Sequence, residues 1–464
     1  MEVPKFKDFI TEAKDDGKCR ILIVTDEPEE AKTFHTADRL QQEAKKLGWD
    51  FYLYKLTKGY ASYEDGIRRV HNAKDKKGFV INPKDTIALF RGSIVRKDSW
   101  MDLISMLEKD GVCCVNNRDS IEICTDKYRT SLKLAEYGLR QPKSVIVSDK
   151  DNIKEDFEKL DTVYPIILKT LRGSKGVGVL FIDSEKGLDS IVQLIYKQDE
   201  DSDLQLQEYI KTDYDVRVLV LGGKILATMK RPVVEGDFRS NVSQGSKPEE
   251  LELTELEIEH SLKAAKAVNG LWTAVDFIPS KNRQKEPPFM IEVNSSPGTE
   301  GMEEATGKNI SKQILEFFEN KDNWRKSPVE CGYKEVLNIK PFGDIVAKFD
   351  TGNSGMNVIH ADKYEIKKQK KITWKLLDKT ITSDIIRTEE ISVGGMRDYE
   401  ETRYVVKLDV EFAGTLYKDV EFSLDDRDNR SLILLDREFM NRMNVMVNPS
   451  RKYIITTHYT IDKK

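Results

Sequence analysis

Three side chains in the middle of the chain have the types and spacing of a metal-binding site. Glu292 and Asn294 are two residues apart in a predicted strand, so their side chains point to the same face. Asp276 lies in the neighbouring predicted strand, before a charged loop. Two carboxylates and an amide oxygen are hard ligands that suit Mg²⁺ or Mn²⁺ together with nucleotide phosphates. A solvent-facing strand explains an isolated Glu-x-Asn more simply, but the Ser-Ser-Pro-Gly run at 295–298 and the upstream aspartate favour the metal site.

A glycine-rich run, RGSKGVGV from Arg172, follows a predicted strand that carries Lys169. Small residues allow backbone N–H groups to approach phosphate oxygens, and Lys169 and Lys175 would add positive charge there. The run matches neither a Walker A loop nor the dinucleotide-binding fingerprint, so a glycine-rich hairpin is an equally good interpretation. The candidate phosphate-binding residues are Lys169, Gly173, Ser174, Lys175 and Gly176.

The strand segment LQEYI and the polar residues after it could complete a nucleotide site. A backbone donor and acceptor at Glu208, Tyr209 and Ile210 could read an adenine edge between apolar walls. Arginines in the series that follows could hold a carboxylate or phosphoryl group through two parallel hydrogen bonds. The alternative interpretations are an ordinary strand for LQEYI and surface ion pairs for the polar series. The polar series comprises Asp215, Arg217, Lys230, Arg231, Arg239, Ser240 and Asn241.

The elements that must position these residues follow two patterns. Over residues 19–91, short apolar runs such as ILIVTDE, FYLYKL and TIALFR alternate with amphipathic stretches, which predicts an α/β layer with a parallel sheet. VCCVNN adds a strand, and a helix begins near Asp126. Over residues 144–320 strands dominate, with two helices between them and a strong hairpin signal at Gly222-Gly223.

The chain changes character after about residue 320. The polar stretch that ends at 334 contains Pro328 and Gly332, and it predicts a helix end followed by a linker. Beyond it, runs such as TRYVVKLDVEF and RKYIITTHY show the alternation of β-strands. A separate all-β domain is therefore predicted at the end of the sequence.

Composition narrows the classes of function. The 464 residues exceed what one hydrophobic core usually supports, so about two to four domains are expected. A formal net charge of -5 disfavours a broad nucleic-acid-binding surface. No apolar run is long enough to span a bilayer, and the first residues lack the apolar core of a signal peptide. The 5 cysteines and 5 histidines show neither disulfide nor zinc spacing, so we expect a cytoplasmic protein.

Taken in order, these motifs resemble those of the RimK family of ATP-grasp ligases, from about Ile21 to Asn320. The resemblance implies an N-terminal pre-ATP-grasp α/β domain at 1–118 and an ATP-grasp domain at 119–322, in which two α+β subdomains clamp the nucleotide. A linker at 323–334 and an all-β domain at 335–464 would follow. The matching motifs are Asp126-Lys127 at a helix start, Lys169, Glu208-Tyr209-Ile210, Asp215-x-Arg217, Arg239-Ser240-Asn241, Asp276, and Glu292 with Asn294 in EVNSSPGTEG.

The resemblance also implies an ATP- and Mg²⁺-dependent carboxylate–amine ligase. A substrate carboxylate would attack the γ-phosphate to give an acylphosphate and ADP, and an amine would then displace phosphate to form an amide. The expected amino acid is glutamate or a similar one, and the acceptor is a peptide or protein C-terminus such as that of a ribosomal protein. The implied roles are metal binding by Asp276, Glu292 and Asn294, phosphate binding by Lys127 and Lys169, and stabilisation of the acylphosphate by Arg231 or Arg239.

The run DIVAKFDTG from Asp344 resembles the active-site strand of retropepsin-like aspartic proteases, and SLILLDREFM from Ser431 resembles a later segment of such folds, with Asp436 where glycine is usual. The stretch is most similar to the retropepsin-like domain found beside RimK ligases and labelled an ATP-dependent zinc protease, although no zinc ligands are evident. With one Asp-Thr-Gly, a peptidase needs a homodimer in which each subunit supplies Asp350, so we expect a homo-oligomer. A peptidase regulated by the ATP-grasp part, a peptide-binding module and a simple barrel turn are the alternatives.

Overall fold

Two units of the chain, Met1–Lys326 and Ser327–Lys464, each enclose their own hydrophobic core. The computed structural model describes residues 19–27, 35–64, 67–147, 149–171, 178–200, 202–233, 247–325, 328–367, 370–392, 400–413, 415–427 and 431–456. Across these ranges, every helix is too short or too polar to span a bilayer.

A parallel sheet with helices forms the first layer of the first unit, as predicted. Its elements are β1 Arg20–Thr25, α1 His35–Lys46, β2 Asp50–Lys55, β3 Tyr60–Glu64, β4 Ile67–His71, β5 Phe79–Val80, β6 Thr86–Arg91, α2 Asp98–Lys109 and β7 Cys113–Val115. The parallel strands run in the order β2-β1-β6-β7. Alternate residues of β1 face two different cores, which explains its continuous apolar run. The small antiparallel sheet β3-β4-β5 was not predicted.

An antiparallel sheet with two helices forms the second layer of the same unit. Two helices, α3 Arg118–Thr125 and α4 Lys127–Glu136, lead into it, and its elements are β8 Ser144–Val147, α5 Ile153–Leu160, β9 Ile166–Thr170, β10 Val179–Ile182, α6 Glu185–Gln198 and β11 Leu204–Glu208. The strand order is β10-β9-β11-β8. The helix predicted near Asp126 begins as expected, because the Asp126 side chain accepts the N–H groups of Tyr128 and Arg129.

A second antiparallel sheet carries the three predicted metal ligands and part of the predicted polar series. Its elements are β12 Tyr214–Leu221, β13 Lys224–Pro232, β14 Glu249–Glu250, α7 Glu255–Ala267, β15 Trp272–Ile278, β16 Phe289–Asn294, α8 Glu300–Thr306 and α9 Ile310–Glu319. The strand order is β14-β13-β12-β15-β16. The predicted hairpin is confirmed: Gly222 and Gly223 have φ of 59° and 76°, the left-handed conformation that a two-residue turn requires.

The second unit is an all-β barrel, which confirms the predicted change of fold class. Its elements are β17 Val329–Gly332, β18 Lys334–Lys340, β19 Gly343–Phe349, β20 Val358–His360, β21 Tyr364–Lys367, β22 Lys371–Leu376, β23 Lys379–Asp384, β24 Arg387–Ser392, β25 Glu400–Phe412, β26 Thr415–Asp425, β27 Ile433–Leu435, α10 Arg437–Arg442 and β28 Val445–Asn448. Six strands close in the order β18-β19-β27-β20-β26-β25, because β25 pairs back to β18.

The segment 323–334, expected to be a linker, contributes to the second unit. Within it, β17 forms a parallel pair with β28. Cys331 of this strand is fully buried in the barrel core. The polar character of the segment concealed the strand, so the folded part of the second unit begins before residue 335.

Glu335 is a fully buried carboxylate that holds the last described residues of the second unit. It accepts hydrogen bonds from the N–H of Gly332 at 2.7 Å and from the N–H groups of 454–456 at 2.8, 3.2 and 3.1 Å. The hydroxyl of Thr456 donates a further bond of 2.6 Å. A buried charge is tolerated only when its hydrogen bonds are satisfied, and these donors meet that need. Residues 454–456 are therefore part of the barrel.

We expect Glu335→Ala to lower the free energy of unfolding of the second unit by about 3 kcal/mol or more, because four N–H groups lose a charged acceptor. Chemical denaturation followed by the fluorescence of the buried Trp374 would measure this loss. The exposed Glu365 of β21 offers a control, and Glu365→Ala should change stability by less than about 0.5 kcal/mol. Equal effects of the two substitutions would contradict the role given to Glu335.

Candidate active site

The three predicted metal ligands lie on one face of the paired strands β15 and β16. Asp276 is directly opposite Glu292 in the antiparallel ladder, and Ala274 is opposite Asn294. Residues directly opposite each other in such a ladder have Cα atoms only about 4.5–5.5 Å apart. The side chains that sequence spacing grouped are therefore brought together by the sheet. Asp276 is buried, whereas Glu292 and Asn294 are half-buried.

The donor set fits a small hard cation. The side-chain nitrogen of Asn294 is buried and makes no hydrogen bond, which leaves a donor beside the candidate ligands that a water or a phosphate oxygen would satisfy. The third ligand that the sequence predicts is the amide oxygen of Asn294, and among the described residues no three His, Cys, Asp or Glu side chains cluster as a metal site. Mg²⁺ keeps several waters and needs few protein ligands, which agrees with two carboxylates and one amide.

Two arginines hold the buried carboxylate of Asp276. Arg217 donates to its two oxygens at 2.7 and 2.6 Å, and Arg231 donates to one of them at 3.0 Å. Burial opposes the charged form of Asp276, but the positive charges of Arg217 and Arg231 outweigh burial and lower the pKa of this carboxyl. Asp276 is therefore an anion at neutral pH, as a metal ligand must be.

A second carboxylate extends this network along the sheet. Asp215 is opposite Arg231 in the β12–β13 ladder and accepts two hydrogen bonds of 2.6 Å from it. Arg231 is only 3% exposed and lies between two carboxylates, whereas the side chain of Arg217 is 23% exposed. Burial opposes the charge of Arg231, but Asp276 and Asp215 raise its pKa above the usual value. The guanidinium of Arg231 is thus committed to the two acids.

Two lysines from other elements share the electrostatic environment of Glu292. Lys127 at the start of α4 donates to the carbonyl of Thr170 at 3.0 Å, and Lys169 of β9 donates to the side chain of Gln207 at 2.6 Å. Burial, with a smaller contribution from the charge of Lys127, lowers the pKa of Lys169 to about 8 against an opposing effect of Glu292. Burial also lowers the pKa of Lys127. An anion bound beside Lys127 and Lys169 would stabilise their ammonium forms and so oppose the effect of burial on their pKa values.

The predicted adenine-reading residues lie at the end of β11. The N–H of Glu208 donates to the carbonyl of Lys143 at 2.8 Å, so this donor is already used. The ring of Tyr209 packs edge-on against Phe181, with centroids 5.2 Å apart. Ile210 follows outside the strand and is half-buried, and its N–H donates to no backbone acceptor among the described residues. The N–H of Glu208 is thus used within the sheet, whereas the N–H of Ile210 is one donor that could face a base.

Part of the predicted site lies outside the described residues. These positions are Gly173, Ser174, Lys175, Gly176, Arg239, Ser240 and Asn241. Lys230, another member of the polar series, pairs with Glu249 at 2.8 Å on the surface. The alternative of a surface ion pair therefore holds for Lys230.

Three polar side chains of the first layer hold the loop 295–299 that follows the candidate ligands, and sequence reasoning missed all of them. Arg91 at the end of β6 donates to the carbonyl of Pro297 at 2.7 Å. Thr36 of α1 accepts the N–H of Thr299 at 3.0 Å. Asn116, which follows β7, donates to the carbonyl of Ser295 at 2.6 Å. The only local signal was at Asn116, a polar residue directly after the buried strand β7.

In the second unit, Asp350 follows β19 and sits among positive groups. Lys348 pairs with it at 3.0 Å, and the N–H of Gly352 donates to it at 3.1 Å. Burial is outweighed by these contacts and by Arg427, so the pKa of Asp350 lies below the usual value. Asp436 belongs to the neighbouring segment, where it caps α10, and burial raises its pKa.

Family models match both units of the chain. Residues 124–318 match the RimK-like ATP-grasp domain, and residues 331–458 match the retropepsin-like aspartic endopeptidase RimB. The probable alpha-L-glutamate ligase of Psychromonas ingrahamii is 36% identical over 45% of this chain and 68% of that protein. The probable alpha-L-glutamate ligase of Pseudoalteromonas translucida is 30% identical over 62% of this chain and 92% of that protein.

Solved structures share the fold of the first unit. The VanG D-Ala:D-Ser ligase of Enterococcus faecalis superposes with a TM-score of 0.50 and 16% identity, covering 65% of this chain and 98% of that one. The fold and the matched family define an ATP-grasp ligase. More particularly, the chain belongs to the RimK-like ATP-grasp family and carries a retropepsin-like barrel after its ligase part.

The lowered pKa of Lys169 predicts a pH-dependent nucleotide affinity. Lys169 has a pKa of about 8, so below this pH the free protein holds the side chain as an ammonium ion. Above this pH, Lys169 must take up a proton when it binds phosphate. We expect metal-free ADP affinity to fall by up to about tenfold per pH unit above pH 8, measured by calorimetry. Lys169→Arg should remove this slope, because a guanidinium stays charged.

The exposed Lys133 of α4, which pairs with Glu136, supplies the control for this measurement. Lys133→Ala should keep both the wild-type affinity and its pH slope, and Lys169→Ala should weaken binding at pH 7. An unchanged affinity in Lys169→Ala would exclude Lys169 from the nucleotide site.

Proposed function

We propose that the first unit uses ATP and Mg²⁺ to activate a carboxylate and to join it to the amine of glutamate or a similar amino acid. The proposed acceptor is the C-terminal carboxylate of a peptide or protein. The observation that carries this proposal is the row of charged side chains across β13, β12, β15 and β16, which ends at Glu292 beside two lysines. The names of the relatives, which are probable alpha-L-glutamate ligases, support glutamate as the amino acid.

The proposed reaction has two steps. An oxygen of the acceptor carboxylate bonds to the γ-phosphorus while the bond to the β-phosphate oxygen breaks, which gives an acylphosphate and ADP. The amine nitrogen then attacks the acyl carbon, phosphate leaves, and the nitrogen loses a proton. The main tasks of the protein are to orient the reactants and to neutralise charge, and no enzyme nucleophile is required.

Different residues of the first unit perform these tasks. Lys127 and Lys169 bind the nucleotide phosphates, and Ile210 offers a backbone donor to the base. Asp276, Glu292 and Asn294 would hold Mg²⁺, which when bound would supply positive charge to offset that of the phosphates. On the sequence motifs alone, we also assign phosphate binding to the glycine-rich residues 173–176 and to the run 239–241, which lie outside the described residues. Because Arg231 is enclosed by two carboxylates, Arg239 is the better candidate to offset charge on the acylphosphate.

Glu292→Gln tests the ligase proposal. We expect ADP release that depends on an amino acid and an acceptor to fall at least about hundredfold, because one anionic ligand becomes neutral while the side-chain shape is kept. Mass spectrometry of reactions with ATP, Mg²⁺, each amino acid and candidate peptides identifies the product. Glu286→Gln, at an exposed position between the same two strands, should retain wild-type activity. Wild-type turnover by Glu292→Gln would remove the metal assignment.

A second candidate activity, peptide cleavage, belongs to the second unit. The Asp-Thr-Gly at 350–352 and the match to an aspartic endopeptidase favour it. Two carboxylates must share one proton in such a site, so two copies of the chain would each supply Asp350. If the wild-type protein cleaves no peptide, a peptide-binding role for the barrel becomes the better explanation.

The ion pair between Lys348 and Asp350 predicts the pH dependence of cleavage. Lys348 lowers the pKa of Asp350, so Lys348→Met should raise that pKa and move the cleavage profile to higher pH. Asp350→Asn should abolish cleavage without changing ATP turnover. Asp344→Asn, an exposed change on the same strand, should alter neither activity. A profile in Lys348→Met identical to that of the wild type would argue against Asp350 as the reacting carboxyl.

A further inference from the structure

Asn116 uses both ends of its side-chain amide to join two parts of the chain. It follows β7 and is 1% exposed. Its amide nitrogen donates to the carbonyls of Trp272 and Ser295, both at 2.6 Å. Its amide oxygen accepts the N–H groups of Leu271 at 2.7 Å and Trp272 at 3.0 Å. Every hydrogen-bonding position on the amide nitrogen and oxygen is filled by backbone groups.

These four bonds fall where the ladder between β15 and β16 ends. The last paired residues of that ladder are Ala274 and Asn294. Trp272 is the first residue of β15, and Ser295 directly follows β16. An asparagine amide carries the same donor and acceptor groups as a peptide unit, so Asn116 adds a further rung that bridges the two strands.

Asn294, the candidate ligand next to this rung, has a buried amide nitrogen without a hydrogen-bond partner in the described part of the chain. No bond from this nitrogen fixes the side chain, so the backbone that carries Asn294 contributes to its direction. Asn116 holds the carbonyl of Ser295, the next residue along, and thereby fixes the peptide that follows Asn294. A residue that orients a metal ligand without contacting the metal itself commonly affects metal affinity.

We propose that Asn116 is a positioning residue for the metal ligands: it locks the ends of β15 and β16 together so that Asp276, Glu292 and Asn294 converge. This inference rests on the proposed function. Arg91 and Thr36 hold the same loop further from the ligands, at Pro297 and Thr299, so their contacts position the loop but not the ligands.

Metal binding by the full-length protein tests the proposal without relying on turnover. Mn²⁺ serves as the probe, and electron paramagnetic resonance measures its affinity in the presence of ADP. We expect Asn116→Ala and Asn116→Asp to bind Mn²⁺ at least about tenfold more weakly than the wild type. Their affinity for ADP without metal should stay unchanged, because Asn116 contacts neither Lys127 nor Lys169.

Thr36→Val is the matched control, since it removes a buried hydrogen bond to the same loop and preserves side-chain shape. It should keep the wild-type Mn²⁺ affinity even if its unfolding midpoint drops as far as that of the Asn116 variants. Equal losses of Mn²⁺ affinity in Thr36→Val and Asn116→Ala would overturn the proposal, because general loosening of the loop would then explain both.

The wild-type protein provides a measurement that does not depend on whether variants fold. Coupling between sites is reciprocal, so Mn²⁺ and ADP should slow hydrogen exchange at the amides of Leu271 and Trp272, which donate to Asn116. The slowing should exceed that at Thr299. No added protection at these two amides would overturn the proposal.

Glu292→Gln separates failure of this inference from failure of the proposed function. If Glu292→Gln loses Mn²⁺ affinity and the Asn116 variants keep it, the metal site stands and the role of Asn116 is wrong. If Glu292→Gln binds Mn²⁺ with the affinity of the wild type, the proposed set of metal ligands is wrong. The inference about Asn116 is then wrong as well, because it depends on those ligands.

Discussion

The pairing of Asp276 with Arg217 and Arg231 is the interaction on which the candidate site depends. A buried carboxylate without partners costs several kcal/mol, about as much as the net stability of many domains. Two guanidinium groups remove that cost, and Asp215 in turn balances Arg231. Because these side chains come from three adjacent strands, the charge pattern of the site is fixed by the sheet and does not rely on loops.

Lys169 and Lys127 add a second source of charge from other elements. Lys169 lies on β9 and Glu292 on β16, yet the charge of Glu292 opposes the lowering of the pKa of Lys169 by burial. Burial makes the ammonium form of Lys169 less stable in the free protein, which increases the gain when a phosphate arrives. Under the proposed function, the arrangement would store unfavourable desolvation in the protein and recover it on nucleotide binding, which is one physical basis of preorganisation.

The strand period of two was enough to place Glu292 and Asn294 on one face, and the turn chemistry of Gly222-Gly223 was enough to predict a hairpin. The opposition of Asp276 and Glu292 could not be derived, because register depends on the loop between the strands and on a β-bulge after Asp276. The role of Asn116 could not be predicted from the sequence for a different reason. Its hydrogen-bond partners lie 155 to 179 residues away along the sequence, and no local sequence pattern indicates contacts between residues so far apart. The polar strand β17 was missed because its composition is that of a linker.

The carboxylate of Glu335 sets a limit on how the chain can be divided. Three of the N–H groups that satisfy it belong to residues 454–456, the last that the structure describes. A truncated barrel that stops short of these residues would retain a buried anion with most of its donors removed, and would fold poorly for that reason alone. Inactivity of such a fragment would then reflect its boundary and would carry no information about the chemistry of Asp350.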